Sequence, residues 1–320
     1  MRVLLRLAAL AAPLLLTLPA SAADYPDHTV KLIVPFGAGG PADVYARFLA
    51  KYLTDETKQS FVVEDRPGAG SIIGTDQVAK SKPDGYTLLI MSNTHTVNET
   101  LLPNKPFELM RDFVPVASIN ESDLLIVVHP SVPAKSVKEF IDLAKKEPGK
   151  LNYASSGPGT PYHMAGELFK AEAGINVVHV PHRASGDARN SVVSGTVQMM
   201  FDAVPTMLAL AKAGQVRALG TSGSKRNPLT PDLPTVGETV PGYESTIWLG
   251  LMAPKGTPKE VIDFLNKHVN AVIQKPEVKE AWLKQGAIPV VKTPAEFDAF
   301  LRKDIDKWGK LIKSAHITVQ

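Results

Sequence analysis

The chain contains no cysteine in 320 residues. Disulfides, thiolate nucleophiles and Cys-ligated metals are therefore excluded. Excess charge is also missing: 35 Lys and Arg stand against 32 Asp and Glu. Two of the basic residues, Arg2 and Arg6, lie in the first 22, which hold no acid, so the remainder has 33 against 32. Such a balance leaves no footprint for nucleic acid or an anionic membrane surface, and a ligand's charge must be met locally. Beyond the first twenty residues no run is apolar enough to cross a bilayer. Signatures of catalysis are absent as well. There is no G-x-S-x-G elbow, Walker lysine or H-E-x-x-H, and the acids and histidines form no spaced constellation. No low-complexity segment or repeat stands out.

What is present begins with an export signal. Arg2 and Arg6 form a basic start, Leu7 to Leu18 an apolar stretch interrupted by Pro13, and Ala20-Ser21-Ala22 an A-x-A cleavage site. The expected mature chain starts at Ala23 and is periplasmic. The apolar stretch is short for a membrane span of about 20 residues.

The rest alternates strands with helical stretches, an α/β pattern expected to build mainly parallel sheets. Strands are expected at Val30 to Pro35, Phe61 to Asp65, Tyr86 to Met91, Asp123 to Val128, Asn176 to Pro181, Val197 to Asp202, Val216 to Ser222 and Ile247 to Pro254. Helices are expected at Asp43 to Leu53, Val137 to Lys146 and Tyr162 to Ala173. A C-terminal trio follows at Pro258 to Asn270, Pro276 to Gln285 and Pro294 to Ser314, each opened by a proline, whose missing N–H is harmless there. The return to helices suggests that the C-terminal part packs back onto the first domain. The chain then crosses between domains near 123–128 and 246–252, a natural hinge.

Two segments share one grammar, a strand running into a Gly-rich loop that opens a helix. They are Leu32-Ile33-Val34-Pro35-Phe36-Gly37-Ala38-Gly39-Gly40-Pro41-Ala42-Asp43 and Leu151-Asn152-Tyr153-Ala154-Ser155-Ser156-Gly157-Pro158-Gly159-Thr160-Pro161. Helix N-termini carry free N–H groups and the positive end of the macrodipole, which suits a small anion. The plainer reading is a pair of tight turns whose glycines satisfy positive φ. Ser155, Ser156 and Thr160 weigh against it at the second loop by offering hydroxyl donors. The first loop also fits G-x-G-x-x-A at Gly37, Gly39 and Ala42, with Glu64-Asp65 ending the next strand. Pro41 inside the turn, the late acids and the export signal oppose a dinucleotide.

Other polar residues carry two readings each. His163 donates to a carboxylate or caps its helix. His179-x-x-His182 has no third ligand nearby and reads as core or turn. Arg183 is a bidentate carboxylate clamp at a strand exit or a solvated loop charge. Asp202 caps the helix that contains Pro205 or orders water and polar ligand groups.

Taken together the motifs resemble the Bug-type solute-binding proteins of tripartite tricarboxylate transporters. The residues that carry the resemblance are Pro35 to Asp43, Glu64 to Gly74, Pro83 to Leu89, Tyr153 to Gly157, Gly195 to Asp202 and Ala253 to Pro258. The resemblance implies an α/β periplasmic-binding-protein (Venus flytrap) fold, two α/β domains with a ligand cleft and a two-strand hinge. The domains would be 23–124 plus 249–320, and 125–248, after a signal peptide at 1–22. It implies a small carboxylate ligand, delivery to membrane permease subunits, no catalysis, no cofactor and no metal. A monomer without nucleic-acid partners is expected. The implied ligand-binding residues are Phe36, Gly37, Ala38, Gly39, Gly40 and Pro41 from the first loop. Ser155, Ser156, Gly157, Gly159 and Thr160 come from the second, with His163, Arg183, Ala184 and Asp202.

The chain departs from the family at Pro181-His182-Arg183-Ala184-Ser185-Gly186-Asp187, where an aromatic then Lys-Gly is common, with Pro in place of Asp187. His182 and Arg183 then favour a second carboxylate or a planar aromatic acid, on which Phe36 stacks unless it only packs beneath its loop. Two other classes stay open: an exported hydrolase or isomerase acting on carboxylates, and a ligand sensor for a signalling partner.

Overall fold

A computed structural model of the chain describes residues 25–182 and 184–318. The export signal, its cleavage site and Arg183 lie outside the described residues.

The first strand, β1 (Val30–Val34), is buried almost throughout and leads into α1 (Pro41–Thr57). Proline at its first position starts that helix, and Ala42, Tyr45, Ala46, Leu49, Ala50 and Leu53 recur at helical spacing on its buried face. β2 (Phe61–Asp65), α2 (Ile72–Ala79), β3 (Thr87–Ser92), α3 (Asn93–Leu101) and the short α4 (Leu109–Asp112) follow. β1 pairs in parallel with β2 and β3. β4 (Phe113–Val128) is 16 residues long.

The second half holds α5 (Val137–Lys146), β5 (Asn152–Ser155), α6 (Pro161–Ala173), β6 (Val178–Pro181) and α7 (Ser185–Val193). β7 (Met199–Ala203), α8 (Val204–Lys212) and β8 (Arg217–Thr221) complete it. β5 pairs in parallel with β6 and β7. The chain returns through β9 (Thr246–Pro254), which pairs with β3 and β4. It ends with α9 (Lys259–Ile273), α10 (Pro276–Lys284), β10 (Ala287–Pro289) and α11 (Pro294–Ser314).

β4 belongs to both halves. From Phe113 to Asp123 it pairs with β9, and from Leu124 to Val128 with β7 and β8. Its partners change at one peptide bond, so the strand joins two sheets. The expectation of mainly parallel sheets is corrected here. The pairings made by β4 and β9 are all antiparallel, because these strands run between the halves against the local strand direction.

The core follows the same division. Leu32, Leu49, Leu88, Leu251 and Trp282 pack around the first sheet, and Phe140, Tyr153, Phe169 and Phe201 beside the second. α11 spans the junction. Its Phe297 and Leu301 pack with Trp248, while Trp308, Leu311 and Ile312 join the cluster of Phe140 and Phe169. A Thr293–Glu296 capping box with Pro294 in the first turn fixes where this helix begins. No helix among the described residues is long and apolar enough to cross a membrane.

Candidate functional site

Three helices of the first half and three of the second start beside one cavity of about 570 Å³. In α/β sheets ligands lie beyond the carboxyl ends of parallel strands, and these turns leave β1, β2, β3, β5, β6 and β7 at those ends. The floor comes from the joining strands. Asn120 and Ser122 of β4 alternate along one face and pair with Leu249 and Ile247 of β9, and all four line the cavity. Among the described lining residues there is no Lys, Arg or His, and one acid, Asp123. Asp123 accepts from Asn227 Nδ2 at 2.9 Å and lies against Gly223, where a Cβ would come within 2.2 Å of its Oδ1. Burial raises its carboxyl pKa. Among the described residues an anion in this cavity therefore meets N–H groups, hydroxyls and helix termini rather than a formal positive charge.

From the first loop, Phe36, Gly37, Gly40 and Pro41 line the cavity, while Ala38 and Gly39 form an exposed tip. Phe36 packs edge-on against His95 at 5.8 Å and also lines the cavity. Gly39 N–H donates to Asp43 Oδ2 at 2.7 Å, so the chain's own carboxylate takes one donor at the start of α1.

Ser156, Gly159 and Thr160 line the cavity from the second loop. The rest of that loop is held from behind. Gly159 N–H donates to His163 Nδ1 at 3.0 Å, and Gly157 N–H donates to Ser155 Oγ at 3.1 Å. Ser155 Oγ meets His179 Nε2 at 2.7 Å, and the two imidazoles stack at 4.1 Å. Burial pushes His163 down to about 4 and His179 down to about 3, so both rings are neutral at pH 7. A neutral His163 accepts at Nδ1, as the Gly159 contact requires. Ser155, Gly157 and His163 thus form the support of the loop rather than its lining. Thr160 caps α6 by accepting from His163 N–H at 3.4 Å.

Ala184 is the exposed N-cap of α7 and Asp202 is buried; neither lines the cavity. Asp202 accepts from Arg189 Nε at 2.5 Å and from Ala203 N–H at 2.6 Å, and the helix that follows has no side-chain cap. Tyr162 stands between this pair and the cavity, and burial, then the Asp202 carboxylate, raise its hydroxyl pKa.

Sequence reasoning did not single out Tyr45, Asn120, Ser122 or the turn Gly68, Gly70 and Ser71, all on the cavity wall. The turn was open to the same reading as the other two, since Pro67-Gly68-Ala69-Gly70-Ser71 also leaves a strand and opens a helix.

Two α/β sheets joined by long strands, with a cavity at their strand ends, define a periplasmic-binding-protein fold. The periplasmic binding protein BugD shares it over 92% of this chain and all of its own, with a TM-score of 0.76 and 33% identity. Residues 45–317 match the model of the tripartite tricarboxylate transporter family receptor, and the chain belongs to that family. Protein BugT of Bordetella pertussis is 36% identical over 298 residues, which are 92% of this chain and 91% of BugT. R. palustris Rpa4515, solved with adipate, is 34% identical with a TM-score of 0.81, covering 92% of this chain and 99% of its own.

Proposed function

We propose that the chain is an exported receptor, cleaved before Ala23, that captures a small carboxylate in the periplasm as a monomer. It hands the ligand to the membrane subunits of a tripartite tricarboxylate-type transporter and does no chemistry on it. The observation that carries this reading is the cavity itself, a cleft whose described lining holds no Lys, Arg or His, at strand ends where α1 and α6 begin. Rpa4515 binds adipate in a closely similar fold, which supports the ligand class.

In this reading one carboxylate lies between the Phe36–Pro41 and Ser156–Thr160 loops, and Ala38, Gly39, Ser155, Gly157 and His163 shape or support them. Arg183, Ala184 and Asp202 belong to the second-domain rim and its support. The moving bodies are 23–124 with 249–320, and 125–248, turning about β4 and the entry to β9. A micromolar affinity corresponds to about −8 kcal/mol. Each helix terminus supplies up to about 2 kcal/mol when partly buried. Hydrogen bonds and closure supply the remainder.

A thermal-shift screen against aliphatic and aromatic acids, amino acids and sugars tests the reading. Ligand at about 100 times its Kd adds about 2.7 kcal/mol, a rise of several degrees. Responses confined to sugars would refute it, and conversion of the bound acid into another compound would point to an enzyme.

A further inference from the structure

The first sheet sends three helices into the cleft by their N-termini, and these ends are satisfied differently. At α3 the capping box is closed: Thr94 N–H donates to Ser92 Oγ at 3.2 Å, and Ser92 N–H to His95 Nδ1 at 3.1 Å. At α1 the Asp43 carboxylate already sits on Gly39 N–H. At α2 the N-cap is Ser71, which makes no side-chain cap. Ser71 is 5% exposed and lines the cavity, and its hydroxyl has no hydrogen-bond partner among the described residues. On the cavity floor Asn120, 2% exposed, holds a buried amide nitrogen with no hydrogen-bond partner among the described residues. Buried polar groups left unpaired are costly and rare, and this one shares its cavity with the Ser71 side chain.

The approach to Ser71 is also held in an unusual shape. Ala69, Gly70 and Ser71 have φ of 48°, 64° and 81°, and two of the three are not glycine. Ile72 N–H closes the turn by donating to Ala69 O. Between this turn and the second loop lie Leu101 and Leu102. A Cβ on Gly159 would come within 2.6 Å of Leu101 Cδ2, and one on Gly70 within 3.6 Å of Leu102 Cδ1. The path from α6 to Ser71 is therefore paved by two apolar side chains, with Ile247 and Leu249 on the floor.

We propose that the Gly68–Ser71 turn is a second carboxylate seat, which holds the far end of an α,ω-dicarboxylate with an apolar spacer. The near carboxylate lies at the α1 and α6 termini, the methylenes cross Leu101 and Leu102, and the far oxygens are taken by the Ser71 hydroxyl and the α2 amides after Ile72, whose own N–H donates to Ala69 O. Asn120 donates from the floor. This assignment rests on the carboxylate reading above and specifies its second site.

Calorimetric titration with adipate and with hexanoate, equal in length and different by one carboxylate, tests it. The full mature chain is expected to prefer adipate by about tenfold or more, the worth of one or two hydrogen bonds to a charged group. Ser71→Ala is expected to lower the adipate-to-hexanoate ratio by about tenfold. Ser71→Gly is expected to lower it equally while keeping or raising the melting temperature, because glycine accepts a φ of 81°. That pairing separates loss of the seat from loss of the fold. Equal affinities for the two acids in the unmodified chain would overturn the assignment, as would Ser71 variants that leave the ratio intact. So would an Arg183→Ala variant that alone abolishes the preference, which would move the seat to the second domain. A carboxylate hit in the thermal screen without any adipate preference sinks this seat and leaves the receptor reading standing. Silence toward every carboxylate sinks both.

Discussion

The β5–α6 loop and the β2–α2 turn have the same grammar and opposite states. In the first, glycine N–H groups are taken from behind by His163 and Ser155, and the histidine pair beneath makes the loop a fixed wall. In the second, Ser71 meets the cavity with no protein partner for its hydroxyl and a backbone in the left-handed region. A Gly-rich loop is thus not a binding site by composition. What matters is which donors the protein itself leaves unpaired, and that depends on side chains arriving from other elements.

The contrast breaks most visibly at His163. His163→Ala removes a buried ring and leaves Gly159 N–H without its acceptor, and is expected to cost about 3 kcal/mol, measured by urea denaturation. A loss near zero would mean that the loop is not held from behind. Gly159→Ala is next, at about 1–3 kcal/mol, because φ is +73° and the new Cβ meets Leu101. It should also impair ligand binding, whereas a variant with unchanged stability and affinity would show that the two walls do not touch.

Acid sharpens the same comparison. His163 and His95 are both lowered to about 4 in the folded state, against an ordinary 6.5. Between those values the unfolded chain binds protons that the folded one does not, so stability rises with pH across about 4 to 6.5 and falls as pH drops through it. Asp123, Glu121 and Asp304, raised by burial, act in the opposite sense in the lower part of this window. Comparing denaturation curves of the wild type and His163→Gln isolates the histidine, and the variant should have the shallower slope. Identical slopes would place the His163 ring in solvent.

Asn120→Leu should give the smallest change and the opposite sign. It removes an unpartnered amide from the floor, so the unliganded protein gains about 1 kcal/mol while acid binding weakens. A destabilised variant would mean that Asn120 is already paired.

Much of this was legible in the sequence. β2, α5 and α11 have the expected ends, and most other strands lie within two residues of expectation, because buried parallel strands read as continuous apolar runs between turn residues. The first half of β4 did not show. Pro115, Ser118 and Asn120 interrupt its apolar run, and its register shifts between Pro115 and Ala117 and between Ser118 and Asn120. α3 was missed because Asn93, Thr94, Thr96 and Asn98 are weak helix formers, and its capping box and its packing against α11 hold it instead. At the site, both Gly-rich loops were legible as places. The direction of each N–H was not, because it depends on His163, His179 and Asp43, whose geometry only the fold brings into range.

The most direct measurement is calorimetric titration of the mature chain with adipate at pH 7, followed by recovery of the acid. One adipate per chain at micromolar affinity, recovered unchanged, is the expected result. A flat titration together with tight binding of an uncharged sugar would contradict the carboxylate cleft.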